Sequence, residues 1–270
     1  MEKACEKEIP LSFMPVLWVL RERARERGSV QVTFTQTSIE EERVAPHRGR
    51  YNAPMNEAPR LRITEIFHSL QGESATVGYP TVFVRLTGCP LRCGYCDTEY
   101  AFTGGEWQTL DAIVEAVAAY DTPYVTVTGG EPLAQKNCLP LLTQLCDRGY
   151  QVSLETSGAL DVSNVDPRVV KVVDLKTPGS GEVERNRYEN LPLLLPHDQV
   201  KFVICDRADY EWAVDMLTKH DLAARCGVLF SPSFGQQDAT ELAGWVLQDR
   251  LPVRMQLQLH KILWNNEPGH

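Results

Sequence analysis

The sequence predicts an α/β fold carrying about six parallel strands, and three observations predict it. From residue 61 onward, short β-branched and apolar runs alternate with amphipathic helical stretches, the pattern of strands covered on both faces by crossover helices. A chain of 270 residues buries roughly 70–75 % of its unfolded surface and needs no disulfide staples. The unusual sequences, rich in Cys, Gly, Glu and Ser, stand at the ends of the apolar runs, the C-terminal face where such sheets place ligands.

The elements follow in order. Residues 61–64 alternate and, continued by Ile66 and Phe67, form a short first strand. The loop 69–73 follows. Residues 81–86 are β-branched and aromatic with one charge, Arg85, and read as a strand. Residues 110–119 read as a helix capped by Thr109. Residues 124–128 form a strand ending in Gly129-Gly130-Glu131-Pro132, and 139–148 a helix closed by Gly149. Strand 151–155 ends in Thr156-Ser157-Gly158, and strand 169–175 ends in Lys176-Thr177-Pro178-Gly179. Strand 199–204 leads into helix 207–220, capped by Asp206. Strand 227–230 ends in Ser231-Pro232-Ser233, helix 239–249 follows, and 253–259 is a last extended run. These strand ends converge on one rim.

Composition narrows the function. Apolar content of 43% and charged content of 23% are those of an ordinary globular protein. A net charge of −9 excludes the basic footprint of a nucleic-acid binder. The apolar run 11–20 is too short to span a bilayer, which needs about 20 residues. It lacks the basic start and small-residue cleavage site of a signal peptide. No membrane partner is expected, and with no secretory signal the eight cysteines belong to a reducing cytoplasm. Residues 1–58 contain no Asp, and their nine acidic and nine basic side chains cancel. They read as a poorly ordered extension with a short helix at 16–27 and a strand at 30–34. A partner-docking arm or a start codon placed too far upstream are the alternatives, the working protein then beginning near Pro59 or Arg60. Residues 59–270 form the folded domain.

The chemistry is concentrated in residues 87–98, where Cys89, Cys93 and Cys96 are spaced C-x3-C-x2-C on the loop after the 81–86 strand. Three soft ligands so close together chelate one metal centre, and three rather than four leave a coordination position open for chemistry. Zinc wants a fourth ligand, but the nearest His is His68 and the next Cys is Cys138. A zinc site or a chance cluster of thiols are the bland readings. The other is a four-iron four-sulfur cluster. The other five cysteines read as buried, hydrophobe-like thiols.

This spacing, followed by Thr98, resembles the radical S-adenosylmethionine superfamily, whose open iron is chelated by the amino and carboxylate groups of S-adenosylmethionine and whose reduced cluster yields a 5′-deoxyadenosyl radical. Thr128-Gly129-Gly130-Glu131-Pro132 resembles the superfamily's motif for the amino group of that cofactor. Glycines at a strand end let backbone approach a ligand, and a nearby carboxylate suits an ammonium.

Further matches narrow the resemblance. They are Leu70-Gln71-Gly72-Glu73, Arg85, Cys96-Asp97-Thr98, Glu155-Thr156-Ser157-Gly158 and Gln258-Leu259-His260-Lys261. In this order, from about residue 61 to 264, the chain resembles the 7-carboxy-7-deazaguanine synthase family. The resemblance implies a partial parallel barrel with reduced helices. It implies conversion of 6-carboxy-5,6,7,8-tetrahydropterin to 7-carboxy-7-deazaguanine and ammonia on the route to queuosine and related deazapurines. S-adenosylmethionine would be regenerated, Mg2+ required, an electron donor such as flavodoxin or ferredoxin used, and the enzyme a homodimer.

By the same resemblance, Cys89, Cys93 and Cys96 hold the cluster and Thr98 is the magnesium ligand, a hard oxygen donor suited to that ion. Leu70, Gln71, Gly72, Arg85, Thr128 and His260 bind substrate, Arg85 by matching a carboxylate with its planar fork. S-adenosylmethionine would be met by Gly130, by Glu155 and Ser157, by Asp174, Leu175 and Lys176, and by Ser231, Pro232, Ser233 and Phe234. The chain departs from the family's familiar form, which has Ser-Pro-Lys at the 174–176 segment and Gln-Pro at the 231–234 segment. The family also closes its pocket with its C-terminus, where this chain runs on through 265–270. A glycyl-radical activase, with the same cysteine spacing, and a zinc-binding interaction module are the competing readings.

Overall fold

A computed structural model describes residues 58–265 and 267–269; the helix and strand expected at 16–27 and 30–34 lie outside them. The described strands are β1 (Arg60–Leu70), β2 (Pro80–Leu86), β3 (Glu106–Thr109), β4 (Tyr124–Gly129), β5 (Gln151–Thr156), β6 (Val170–Asp174), β7 (Gln199–Ile204), β8 (Gly227–Pro232) and β9 (Arg254–Met255). They form one sheet in the order β3-β1-β2-β4-β5-β6-β7-β8-β9. From β2 to β9 every neighbouring pair is parallel.

Two features depart from the sequence reading. β1 runs antiparallel to both β2 and β3, and β3 was not expected, because four residues with an exposed Trp107 offer no alternation to read. The run at 253–259 is strand only at β9. Its polar groups turn instead to the loop after β1: Gln256 Oε1 accepts from Ser74 N at 3.0 Å and Leu259 N donates to Gly72 O at 3.0 Å. A short helix follows.

The helices are α1 (Leu110–Ala118), α2 (Cys138–Asp147), α3 (Arg207–Lys219), α4 (Leu222–Arg225), α5 (Ala239–Asp249) and α6 (Leu259–Trp264). Side-chain caps start three of them. The Thr109 hydroxyl accepts from Ala112 N at 3.2 Å, and the carboxylates of Asp206 and Asp238 accept from Asp209 N and Glu241 N, each at 2.9 Å. Among the described residues, the β5–β6 crossover holds no helix and the β6–β7 crossover only 3-10 turns. This is a mixed α/β partial barrel with reduced helices. No helix among the described residues is long and apolar enough to cross a membrane.

Each barrel strand has two unlike faces. Val82, Val84 and Leu86 of β2, Val125 and Val127 of β4, and Leu154 of β5 pack outward with Ile113 of α1 and Leu141 and Leu145 of α2. Val200 and Phe202 of β7 and Phe230 of β8 pack with Tyr210 of α3 and Leu242 of α5. The alternate positions, among them Arg85, Thr128, Glu155, Asp174 and Lys201, line an interior cavity. Each fully buried outer Val, Leu or Phe contributes about 1.5–3 kcal/mol, which offsets the cost of a charged interior.

Candidate active site

The C-terminal ends of the strands and their loops enclose a cavity of about 220 Å3. Cys89, Cys93 and Cys96 line one wall as half-buried free thiols. Their loop is braced from both sides. The Arg92 guanidinium donates to Cys89 O at 2.8 Å and Leu91 O at 2.6 Å, and lies 4.2 Å over the Phe102 ring. Gly94 N donates to Ser180 O at 3.0 Å, and Arg92 N donates to Glu182. Burial pushes all three thiols above the ordinary cysteine value; bound iron deprotonates such ligands. Among the described residues no three His, Cys, Asp or Glu side chains converge on one ion position. A four-iron cluster takes one thiolate per iron and three thiols leave its fourth iron open, whereas a structural zinc wants a fourth protein ligand.

Facing the cysteine loop is the end of β4. Gly129 has φ +140, where a side chain would be strained. A Cβ on Gly130 would lie 2.8 Å from Cys89 Cβ and collide with the Gly88 carbonyl oxygen, so the two loops touch only because this residue has no side chain. Glu131 lies beneath the cavity lining, its carboxylate fully buried. It accepts from the Thr156 hydroxyl at 2.9 Å, Ser157 N at 2.7 Å, the Ser157 hydroxyl and Leu133 N at 3.0 Å. It locks the ends of β4 and β5 together and leaves the glycine backbone to face the cavity.

A second wall is polar. Gln71 Nε2 donates to the Thr126 hydroxyl at 3.0 Å and to Glu155 Oε1 at 3.4 Å, and the Thr128 hydroxyl donates to Glu155 Oε2 at 3.1 Å. Burial holds Glu155 above the ordinary carboxylate value, which Lys201 only partly offsets. Arg85 gives its Nε to Glu65 at 2.7 Å and lies between Phe67 and Tyr100, leaving its terminal nitrogens for a ligand. The Thr98 hydroxyl donates to Asp97 Oδ1 at 2.8 Å, so its oxygen lone pairs stay available to a cation. Asp97 in turn pairs with Lys261 at 2.8 Å. Burial would raise the Asp97 carboxyl, but Lys261 holds it well below the usual range. Leu70 and Gly72 line the cavity, and His260 packs so closely on Gly72 that a Cβ there would strike its imidazole.

The floor contains residues that motif reading missed. Lys201 Nζ lies 2.6 Å from Glu73 Oε2 and 3.7 Å from Asp174 Oδ2, while Lys176 Nζ holds Asp174 Oδ2 at 2.9 Å. Gln258 Nε2 donates to Glu73 Oε1 at 2.6 Å. Burial alone would lower the Lys176 ammonium, but Asp174 keeps it above the ordinary lysine value. Asp174 Oδ1 and the Tyr95 hydroxyl are buried with no partner, and burial pushes the Tyr95 phenol far up. Two orphaned polar atoms on a cavity wall call for ligand donors and acceptors. Lys201 has a sequence signal, a lone lysine inside an apolar strand. Ser157, Ser233 and Phe234 also line the cavity. Leu175, Ser231 and Pro232 do not: Leu175 is packed in the outer core, and the other two are buried at the end of β8.

Comparison with known proteins accords with this geometry. Residues 83–174 match the Radical SAM superfamily. The chain is 50% identical over 212 residues to the 7-carboxy-7-deazaguanine synthase of Chlorobaculum tepidum, covering 77% of this chain and 96% of that protein. It is 47% identical over 222 residues to the enzyme of that name from Koribacter versatilis, covering 77% and 98%. The fold is similar to the crystal structure of QueE from Escherichia coli, with a TM-score of 0.62 and 24% identity over 74% of this chain and 95% of that one.

Proposed function

The chain belongs to the 7-carboxy-7-deazaguanine synthases, and from that membership we propose what each part of its cavity does. It is a radical S-adenosylmethionine enzyme whose cofactors are a four-iron four-sulfur cluster and S-adenosylmethionine. It converts 6-carboxy-5,6,7,8-tetrahydropterin to 7-carboxy-7-deazaguanine with loss of ammonia, in queuosine biosynthesis. Bound together, the two cofactors supply hydrogen-atom abstraction from the substrate.

In our reading, Cys89, Cys93 and Cys96 hold the cluster. The backbone at Gly130, the open oxygen of Asp174, and Lys176, Ser157, Ser233 and Phe234 receive S-adenosylmethionine. Leu175, Ser231 and Pro232 set the strand ends from which those contacts come. Arg85 presents its two terminal nitrogens to the substrate carboxylate. Thr98 supplies one oxygen to a Mg2+ ion that the same carboxylate completes. Glu155, expected beside S-adenosylmethionine, is bonded by Gln71 and Thr128, so we place it with Gln71 and Glu73 at the amino-pyrimidinone edge, whose N–H groups suit carboxylate acceptors. Thr128 and His260 flank the ring, with Leu70 and Gly72 below it. The 258–261 segment, tied to Glu73, Gly72 and Asp97, keeps water out. A cytoplasmic homodimer reduced by a flavodoxin or ferredoxin completes the proposal.

The observation that carries this reading is the meeting of two chemistries on one cavity. The thiols, Gly130 and Lys176 line the same cavity as Gln71, Arg85 and Thr98. A glycyl-radical activase would leave Arg85 and the Gln71 loop without a task. The test is anaerobic reconstitution, then turnover of the carboxytetrahydropterin with and without Mg2+. We expect a brown protein that forms the deazapurine and ammonia, faster with Mg2+, without net consumption of S-adenosylmethionine. An iron-loaded enzyme that leaves the pterin untouched sinks the reading.

A further inference from the structure

We propose that Lys201 is a positioning residue that keeps Glu73 ionised and aimed at the N–H edge of the pterin, and so makes substrate binding independent of pH through the neutral range. The inference rests on the substrate assignment above.

Lys201 is the one charged side chain of β7, and the strand is buried along its whole length. A lysine there costs free energy unless it is paired. Its ammonium reaches Glu73 at 2.6 Å and stops 3.7 Å short of Asp174, so Glu73 is its main partner. Asp174 already has Lys176 at 2.9 Å. The second oxygen of Glu73 is held by Gln258 at 2.6 Å, and Gln71 Oε1 accepts from Glu73 N at 3.1 Å. The carboxylate is thus fixed from two elements, β7 and the segment before α6, while Gln71 fixes the backbone that carries it.

The charged and titratable groups facing Glu73 are Lys201 from β7, Glu155 from β5 and His260 from α6, with Asp174 of β6 on the far side of Lys201. Burial pushes Glu73 up; Lys201, by charge and by hydrogen bond, is the strongest of the groups that oppose it, and with the Gln258 hydrogen bond and His260 it holds the carboxyl below its usual value. Glu155, on the same edge, feels the charge of Lys201 without a hydrogen bond from it, and burial keeps it raised. Two neighbouring carboxyls driven apart in this way have different roles. Glu73 only accepts, and Glu155 is the more easily protonated. A ring edge that offers N–H donors beside a carbonyl needs both. Remove Lys201, and burial governs Glu73 as it governs Glu155. The site then gains its acceptor only as pH rises.

The experiment measures equilibrium binding of 6-carboxy-5,6,7,8-tetrahydropterin. It uses anaerobic holoenzyme with oxidised cluster and S-adenosylmethionine, from about pH 6 to 9. The wild-type affinity stays flat. Lys201→Met weakens binding about 10- to 100-fold at the acid end, the loss of a charge-assisted hydrogen bond, and the deficit shrinks as pH rises. Lys201→Arg restores the flat profile. Glu73→Gln combined with Lys201→Met binds weakly without a slope. A Lys201→Met enzyme with full iron and a profile parallel to wild type overturns the proposal, as does a slope that survives in the double variant. Infrared difference spectra keep it falsifiable if Lys201→Met does not fold. At neutral pH, Glu73→Gln must delete an ionised-carboxylate band, and deletion of a neutral-acid band overturns the inference. Wild-type holoenzyme that binds no pterin overturns the substrate assignment itself, and this proposal with it.

Discussion

Gly130→Ala tests whether the β4 turn and the cysteine loop are held in contact. The new Cβ would stand 2.8 Å from Cys89 Cβ and 2.6 Å from the Gly88 carbonyl carbon, where ordinary contact begins at 3.4 Å. The Gly88 carbonyl oxygen is closer still, so the loops must part by at least about 0.8 Å. Gly88 cannot yield freely, because its oxygen accepts from Glu131 N at 2.8 Å and Glu131 is locked to β5. Overpacking costs about 1–3 kcal/mol, and loss of that backbone bond adds about 1 kcal/mol. A penalty of about 2–4 kcal/mol lowers Tm by about 4–16 °C for a domain of this size. It leaves a folded chain whose Cys89 has moved off the turn. Calorimetry on the apo-protein and iron content after anaerobic reconstitution read the two effects. The control is Gly149→Ala, where φ is +88 and nothing lies within 4 Å of the new Cβ; it strains one backbone position and leaves iron binding intact. A Gly130→Ala protein with wild-type Tm, iron content and S-adenosylmethionine affinity refutes the reasoning, as does equal iron loss in the control.

Glu131→Gln breaks the buried carboxylate lock at the ends of β4 and β5 and costs about 2–4 kcal/mol in denaturant unfolding; weaker cofactor binding at unchanged stability would mean that Glu131 faces the ligand after all. Asp198→Asn strips the counter-ion from Lys171, paired at 2.9 Å with both side chains buried. The loss is about 3–5 kcal/mol, and turnover per iron-loaded chain at low temperature is unchanged, because neither residue lines the cavity. Burial holds His260 below the ordinary histidine value, with Glu73 and Asp97 offsetting part of that. The unfolded chain therefore takes up the proton first, so His260 stabilises the fold fully above about pH 6.5 and the contribution is lost as pH falls toward the lowered value. The wild-type Tm should drop more steeply than that of His260→Gln below that pH, and parallel curves would exclude the effect.

What the sequence discloses and what it hides divide along a physical line. Local signals are legible. The Thr109 and Asp206 caps lie within three residues of the N–H groups they serve, and the three thiols and the Gly-Gly turn are short contiguous strings. Long-range partnerships are not. The glutamate of Gly-Gly-Glu-Pro reads as a ligand for an ammonium because its neighbours suggest one. Its real partners, Thr156 and Ser157, are 25 and 26 residues away. Lys201 is hidden in the sequence because strands that read as continuous apolar runs conceal a period of two. The polar positions Thr126, Thr128, Ser153, Glu155 and Lys201 fall on the inward parity of their strands. β3 and α6 escaped notice because pairing with β1 and anchoring to the 71–74 loop, rather than propensity, hold them in place.

The segment that closes the cavity has a bearing on maturation. Gln256 and Gln258 join Ser74 and Glu73 across 182 and 185 positions of chain, and the thiol loop and the strands that line the cavity precede them in order of synthesis. Contacts that close so long a loop form late, because the entropy of closure must be met before they reward it. Until they form, the thiol loop and the polar wall lack the cover that the 256–261 segment gives them.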